Sequence, residues 1–376
     1  MILTVVSLAQ DAASELLYPL LPILLTSVIG AAPLALGLIE GCAEAAAGFT
    51  KLYSGKASDR LGRKPFVVAG YSVAGIGKIF VITATAWPLF FLGRVVDRIG
   101  KGLRSTPRDA LIHDSVPKEH LGKAFGFHRM GDNLGAVIGP LIALAGLALL
   151  NGDVRKVAAW AIIPALISAF LTFFIKDKTR AEIKKEPRPP DSGPLPTPLK
   201  RAIALLVIIQ LTNIPDALLL LRLHDIGFTT NGVVLAYVLF SAVTMLLAFP
   251  GGYLADKFSP HAVYAAGLVA FSLAYFTLGY TSSHAIAIGA LILYGVFPAM
   301  TDGVGKAWIA GLSEKEHKGK AQGTYQAFMN FAVLGAGLWG GLMWTQKGHE
   351  LPLMIAAGGA LLGAFLLLIE NFRNRR

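Results

Sequence analysis

Arg94-Val95-Val96-Asp97-Arg98-Ile99-Gly100-Lys101-Gly102-Leu103-Arg104-Ser105-Thr106-Pro107-Arg108-Asp109 is the stretch that decides how this chain folds. At about 100° per residue, Arg94, Asp97, Arg98, Lys101, Arg104, Ser105, Arg108 and Asp109 share one side of a helix. Leu92, Val95, Val96, Ile99, Leu103, Thr106 and Ala110 share the other. In a soluble protein this would be an ordinary amphipathic helix with a solvated charged face. Its neighbours are apolar at membrane-spanning length, so the expectation is a helix that carries charge inside a bilayer. Each such charge costs about 2.5–3.5 kcal/mol on insertion scales and normally faces a protein interior or a watery pathway.

The composition agrees. Hydrophobic residues make up 54% of the 376, charged residues only 15%, and the mean hydropathy is +0.59. A span needs roughly 20 mostly apolar residues. Twelve candidates stand near 3–29, 33–54, 65–86, 88–111, 122–149, 155–175, 200–224, 231–255, 261–281, 284–310, 321–345 and 351–370. Their length, and the lack of short alternating runs, predict helices rather than barrel strands. The first apolar segment runs on as a full span, so no cleavable signal peptide is expected.

The net charge of +11 would suit a nucleic-acid binder, but its placement points elsewhere. With the first helix starting inside, 22 of the 34 Lys and Arg fall on cytoplasmic segments. Only Arg155, Lys156 and Lys347 fall on the opposite loops. This asymmetry follows the positive-inside rule and predicts cytoplasmic N- and C-termini, with no nucleic-acid partner. The lone Cys42 has no disulfide partner within the chain.

Six prolines between Lys176 and Arg201 predict an extended linker, dividing the chain into bundles 1–175 and 201–376 around a cytoplasmic segment 176–200. The halves match at a constant offset of 197. Lys118-Glu-His120-Leu-Gly122-Lys-Ala124-Phe-Gly126 returns as Lys315-Glu-His317-Lys-Gly319-Lys-Ala321-Gln-Gly323, and Gly55 and Asp59 fall on Gly252 and Asp256. Parallel six-helix repeats are a transporter signature.

Several motifs carry a resemblance. Gly55-Lys-Ala-Ser-Asp59-Arg60-Leu-Gly62-Arg63-Lys64 resembles the loop signature of the major facilitator superfamily, and Gly252-Tyr-Leu-Ala-Asp256-Lys257 is a degraded copy. Arg98-Ile-Gly-Lys101-Gly102 resembles the family's helix 4 signature, with Lys101 where Gln is common. Gly131, Gly135, Gly139 and Pro140 resemble the glycine-rich helix 5 signature associated with antiporters. Asp11 to Pro19 resembles the helix 1 motif of a bacterial subgroup. The resemblance covers the whole chain. It implies an all-α membrane protein of twelve transmembrane helices in two six-helix pseudo-repeats. It also implies a latch at the loop signature and a sealing role for the helix 5 glycines.

Site residues follow from charge and position. Asp11 and Glu15 are four apart on one face of helix 1, with Tyr18 continuing that face. Such carboxylates can carry protons, bind a cation, or neutralise the helix 4 arginines. Glu40 and Glu44 repeat the pattern on helix 2, where pairing with Lys78 or Arg94 competes with a transport role. Asp11, Glu15 and Glu40 are the proton-coupling candidates. Arg98, Lys101 and Arg104 suit anionic groups, although the acids of the same half can neutralise them. With Tyr18, Asn213, Asp216, Tyr294 and Gln326 they form the candidate substrate set. Gating candidates are Gly55, Asp59, Arg60, Gly62, Arg63, Asp109, Gly131, Gly135, Gly139 and Pro140. Asp59 is expected to accept hydrogen bonds from a helix N-terminus, and Arg60 and Arg63 to pair with Asp109 or Asp114. The histidines have no metal-ligand spacing, and Arg129 with Asp132 is expected to pair locally.

These readings predict a secondary transporter in a bacterial-style inner membrane, working by alternating access as a monomer on a small-molecule substrate. Proton antiport for export is the leading expectation, with the proton gradient in place of any cofactor. The rivals are uptake by symport, export of a metal or its chelate, and a non-transporting receptor or scaffold. No nucleophile–base pair, phosphate loop or metal cluster suggests an enzyme.

Overall fold

The apolar runs become helices whose ends are set by ordinary capping chemistry. Thr229 and Ser259 accept from the backbone N–H of Gly232 and Ala262 at 3.2 and 3.1 Å, each satisfying an orphan donor. Pro260 stands in the first turn of its helix, where its missing N–H costs nothing. Gly62 adopts φ 94° between the second and third helices, a turn that a residue with a Cβ rarely makes.

The computed structural model describes residues 1–115, 121–175, 194–313 and 318–373, excepting the side chains of 56, 59, 60, 113, 114, 121–126, 129, 130, 249, 256, 310, 318–320 and 373. Among the described residues the chain is helical with no strand. The first span, α1, is Ile2–Leu17, continued by a 3-10 turn at Tyr18–Leu20, a short α turn at Leu21–Ile23 and a π turn at Leu24–Val28. Then come α2 (Pro33–Leu61), α3 (Arg63–Thr83), α4 (Trp87–Asp114) and α5 (Leu121–Leu149). Two pieces, Val154–Ala159 and Ile162–Thr172, make α6, and Thr197–Gln210 with Asp216–Asp225 makes α7. The rest are α8 (Thr230–Lys257), α9 (Pro260–Tyr280), α10 (His284–Gly311), α11 (Lys318–Lys347) and α12 (Glu350–Arg373). These are the twelve expected spans. Among the described residues, eight helices are long and apolar enough to cross a membrane by length and composition alone. The four that fail that test are α1, α2 and α4, which carry the charges, and α7, which is broken.

The chain divides into two compact units, residues 1–31 with 39–188, and residues 32–38 with 189–376. In the first unit α3 lies against α4 through Gly70 and Gly77 on one helix and Gly93 and Gly100 on the other. A Cβ at any of the four would run into the partner's backbone. Small residues let helices approach this closely where lipid gives no hydrophobic drive. Gly131, Gly135 and Gly139 of α5 meet Thr4, Leu8, Ala12 and Leu16 of α1 in the same way.

In the second unit the break in α7, residues 211–215, is received by glycines. Gly335 faces Leu211, Gly340 faces Ile214 and Gly359 faces Thr212. Trp339 Nε1 donates to the Leu211 carbonyl at 2.8 Å, satisfying one acceptor that the break leaves open. Residues 32–38, grouped with this unit, bring the Leu34 N–H to Thr345 Oγ1 at 2.9 Å.

Candidate functional site

The first unit turns its charges inward. On α4, Arg94, Asp97 and Arg104 are 4–5% exposed, while Leu92 is 46% exposed, the reverse of a soluble amphipathic helix. The charges fall into a sealed tier, a more open tier and a mouth.

The sealed tier is an alternating chain of four groups from three helices. Lys78 Nζ of α3 donates to Asp97 Oδ1 at 2.6 Å. Arg94 Nη1 reaches Asp97 Oδ2 at 3.5 Å. The same guanidinium holds Glu40 of α2 through Nε–Oε1 and Nη2–Oε2, both 2.8 Å. All four are below 5% exposed. Two cations against two anions leave no net charge, and the bidentate fork is the strongest form of such a pair. Gly77 sets this up, because it brings α3 against the backbone of Asp97. Glu40, a proton-coupling candidate from sequence, is thus a bound partner of Arg94. The structure gives its carboxylate no open side.

The open tier lies on α1, α2 and α4. Arg98 Nε stands 3.1 Å from Glu44 Oε1, without the alignment of a hydrogen bond. Arg104 Nη2 is 3.8 Å from Asp11 Oδ1, and its guanidinium also covers the Tyr71 ring at 4.6 Å. In each pair the carboxylate is the more exposed partner, 27% against 6% for Asp11 and Arg104, and 23% against 12% for Glu44 and Arg98. Glu15 and Tyr18 are half-buried on the same helix as Asp11. Lys101 is half-buried too. It makes no ion pair within 4 Å among the described residues, although Arg98, Glu44, Asp11 and Arg104 all act on it electrostatically.

At the mouth Arg108 Nη1 donates to Ser7 Oγ at 2.6 Å, and its Nη2 pairs with Asp109 at 3.1 Å. Asp132 of α5 is 4.0 Å from Arg108 and 3.6 Å from His128 Nε2. The expected Arg129–Asp132 pair lies outside the described side chains, as do the expected contacts of Asp59, Arg60 and Asp114. Arg63 Nη1 donates to the Ala110 carbonyl at 2.8 Å. That carbonyl belongs to the last turn of α4, where cations are favoured. Gly55 comes within 3.2 Å of Thr106 Cγ2, counted from an added Cβ, the close approach its position suggested. Pro140 is buried within α5, and the α5 glycines make their tight helix contact with α1.

The second unit has a different polar centre. Tyr294 Oη donates to Asp216 Oδ1 at 2.5 Å, where Asp216 opens the second piece of α7 and meets the positive end of its dipole. Asn213 Oδ1, in the break, accepts from Tyr275 and Tyr294 at 3.3 Å each. Tyr294 stacks on Phe240 with centroids 5.3 Å apart, and Phe271 stacks on Tyr275 at 3.9 Å. Tyr294 is 2% exposed, so the tyrosine expected to touch substrate is instead a core residue that positions Asp216. Gln326 is half-buried on α11. Arg222 serves a structural end, donating to the Leu278 and Thr281 carbonyls at 2.9 and 2.8 Å, where α9 stops.

Sequence reading passed over α9. Its signal was Phe271 and Tyr275, aromatic four residues apart in a helix that is apolar on every side.

Comparison with known proteins then adds a family, two relatives and two solved structures. A family model described as Major Facilitator Superfamily matches residues 3–221 and again 202–376. An uncharacterized MFS-type transporter of Methanocaldococcus jannaschii is 28% identical over 96% of this chain and 92% of its own length. The multidrug resistance protein MdtH of Photorhabdus laumondii is 25% identical over 88% of this chain and 81% of its own. Among solved structures, the nucleoside transporter NupG aligns with TM-score 0.80 at 13% identity over 98% of both chains. A D-xylose-proton symporter aligns with TM-score 0.79 at 18% identity over 97% of this chain and 95% of its own. At such identities these structures speak to the fold.

Proposed function

The chain belongs to the major facilitator superfamily, and from that premise we propose that this membrane transporter exports a small organic molecule in exchange for protons. One observation carries the coupling. Asp11 is a half-open carboxylate inside a membrane helix, held by Arg104 at only 3.8 Å, whereas Glu40 is locked by two bonds of 2.8 Å. A carboxylate that is partly desolvated and loosely paired can change protonation as its surroundings change. We assign coupling to Asp11 with Glu15, and a structural role to Glu40. Arg98, Lys101 and Arg104 line the substrate side. The loop signature with Gly55, Gly62 and Arg63 acts as the conformational latch, and the termini face the cytoplasm. Resemblance to MdtH, named for multidrug resistance, supports export.

Uptake by symport is the second reading, and Lys101 is the observation that favours it. A simple anion docking there would make the surrounding carboxylates hold protons more tightly, so anion and proton would bind together instead of competing.

Everted membrane vesicles test the choice. After the lumen is acidified, organic cations, anions and zwitterions are added in turn while luminal pH is followed. Antiport predicts proton release on addition of a substrate. Asp11→Asn should abolish that release. Unchanged release in both Asp11→Asn and Glu15→Gln removes the coupling assignment. Proton uptake in step with substrate from outside replaces export by symport.

A further inference from the structure

We infer that the transported molecule is amphoteric, with a carboxylate or phosphate group docking on Lys101 and an ammonium group docking on Asp11. The inference rests on the transporter reading and names the substrate class of that site.

Three observations lead there. Among the described residues, Lys101 has no ion pair while the cations around it do. Arg94 has Glu40, Lys78 has Asp97, Arg98 has Glu44, Arg104 has Asp11, and Arg108 has Asp109. A cation without an ion pair inside a membrane helix is costly, and an anionic group on the ligand would supply what the protein omits. In the open pairs it is the carboxylate that presents its surface, Asp11 at 27% and Glu44 at 23%. The accessible face therefore attracts positive charge beside Lys101, a described cation without an ion pair that attracts negative charge. Finally, the described charges of the sealed and open tiers, taken without the mouth, balance at five acids and five bases. The acids are Asp11, Glu15, Glu40, Glu44 and Asp97; the bases are Lys78, Arg94, Arg98, Lys101 and Arg104. A ligand of one sign would leave this region unbalanced where the dielectric is low. A ligand carrying both signs preserves the balance.

The same geometry explains exchange. The ligand ammonium and a proton both neutralise Asp11, so they compete for it, while the ligand's anionic group keeps its own place on Lys101. No bond is made or broken. One proton leaves Asp11 for each ammonium that arrives.

The test uses 4-(aminomethyl)benzoic acid, its methyl ester and its N-acetyl derivative, which are zwitterion, cation and anion on one ring. Thermal stabilisation of the purified full-length protein is measured with each at about 10 mM, a range suited to weak ligands. Wild type should respond most to the zwitterion. Lys101→Met should lose the preference for the acid over the ester by about tenfold in apparent affinity, and Lys101→Arg should restore it. Asp11→Asn should lose the preference for the amine over the acetamide. The ligand-free melting of Lys101→Met is the folding control. It should equal or exceed wild type, because the substitution removes an unpaired charge.

The proposal falls if the ester binds wild type better than the acid, or if Lys101→Met leaves the ranking intact. It also falls if none of the three stabilises a protein that does exchange protons for some compound in everted vesicles; antiport then survives without the amphoteric class. A protein that answers in neither assay loses both readings.

Discussion

In the first unit the arginines of α4 are answered by carboxylates; in the second, Arg222 is answered by backbone carbonyls and the acid Asp216 by a tyrosine hydroxyl. Both arrangements satisfy polar groups away from water. Only one of them contains groups whose charge can be exchanged without dismantling a helix. Moving a proton on or off Asp11 alters a 3.8 Å pairing, whereas displacing Arg222 would uncap α9. The difference teaches where to look for energy coupling in a duplicated chain. On the function proposed above, the repeat serves charge in one copy and shape in the other, and the motif copies differ in packing too. Gly55 sits tight against Thr106, while an added Cβ at its counterpart Gly252 would meet nothing within 4 Å.

The comparison breaks most readily at the sealed tier. Arg94→Met leaves Glu40 buried without its partner, and the expected loss is about 3–5 kcal/mol, seen as failed insertion or a much lowered melting temperature. Adding Glu40→Leu should recover most of that loss. If the single variant melts like wild type, the charge network does not hold the first unit together.

Next in size is helix contact. Gly77→Ala drives a methyl into the backbone at Asp97 and should cost about 1–3 kcal/mol. Gly252→Ala, in open space on α8, should be neutral or gain up to about 1 kcal/mol from helix propensity. Thermal melts of the two side by side show whether the first unit is packed more tightly at its motif helices than the second.

The smallest effect is expected in the second unit's polar centre. Asp216→Asn keeps an acceptor for Tyr294, so transport should change by less than about twofold, since only a neutral hydrogen bond replaces a charged one. Complete loss in a transport assay would move charge handling into the second unit and end the asymmetry argued above.

Much of this fold was legible because bilayer thickness fixes helix length. Spans expected at 231–255 and 261–281 are observed at Thr230–Lys257 and Pro260–Tyr280. The break in α7 was less visible, since Pro215 marks its end but only the glycines of α11 and α12 explain how it is housed. The break in α6 at Trp160 and Ala161 does have a local signal, Pro164, whose missing N–H leaves the Trp160 carbonyl without its helical donor, but the apolar run around it reads as one continuous span. Among site residues, helical periodicity placed Asp97 and Arg98 on one side of α4 but could not say that one turns to Lys78 and the other to Glu44. Partner choice depends on how each helix is rotated against its neighbour. That rotation is set by glycine contacts such as Gly77 on Asp97, between residues far apart in sequence. The α5 stripe shows the same limit, because its spacing announced a close contact without naming α1 as the partner.

The alternating chain of Glu40, Arg94, Asp97 and Lys78 also bears on how the protein is made. Glu40 and Lys78 leave the ribosome before Arg94 and Asp97 do, so α4 emerges when both of its neutralising neighbours already exist. Helix α4 is too polar to enter lipid by its own composition, and its entry then depends on α2 and α3 waiting at the point of insertion. The order of helices along the gene is therefore a schedule for biogenesis, and a permutation that placed α4 first would present the membrane with charges whose partners had not yet been synthesised.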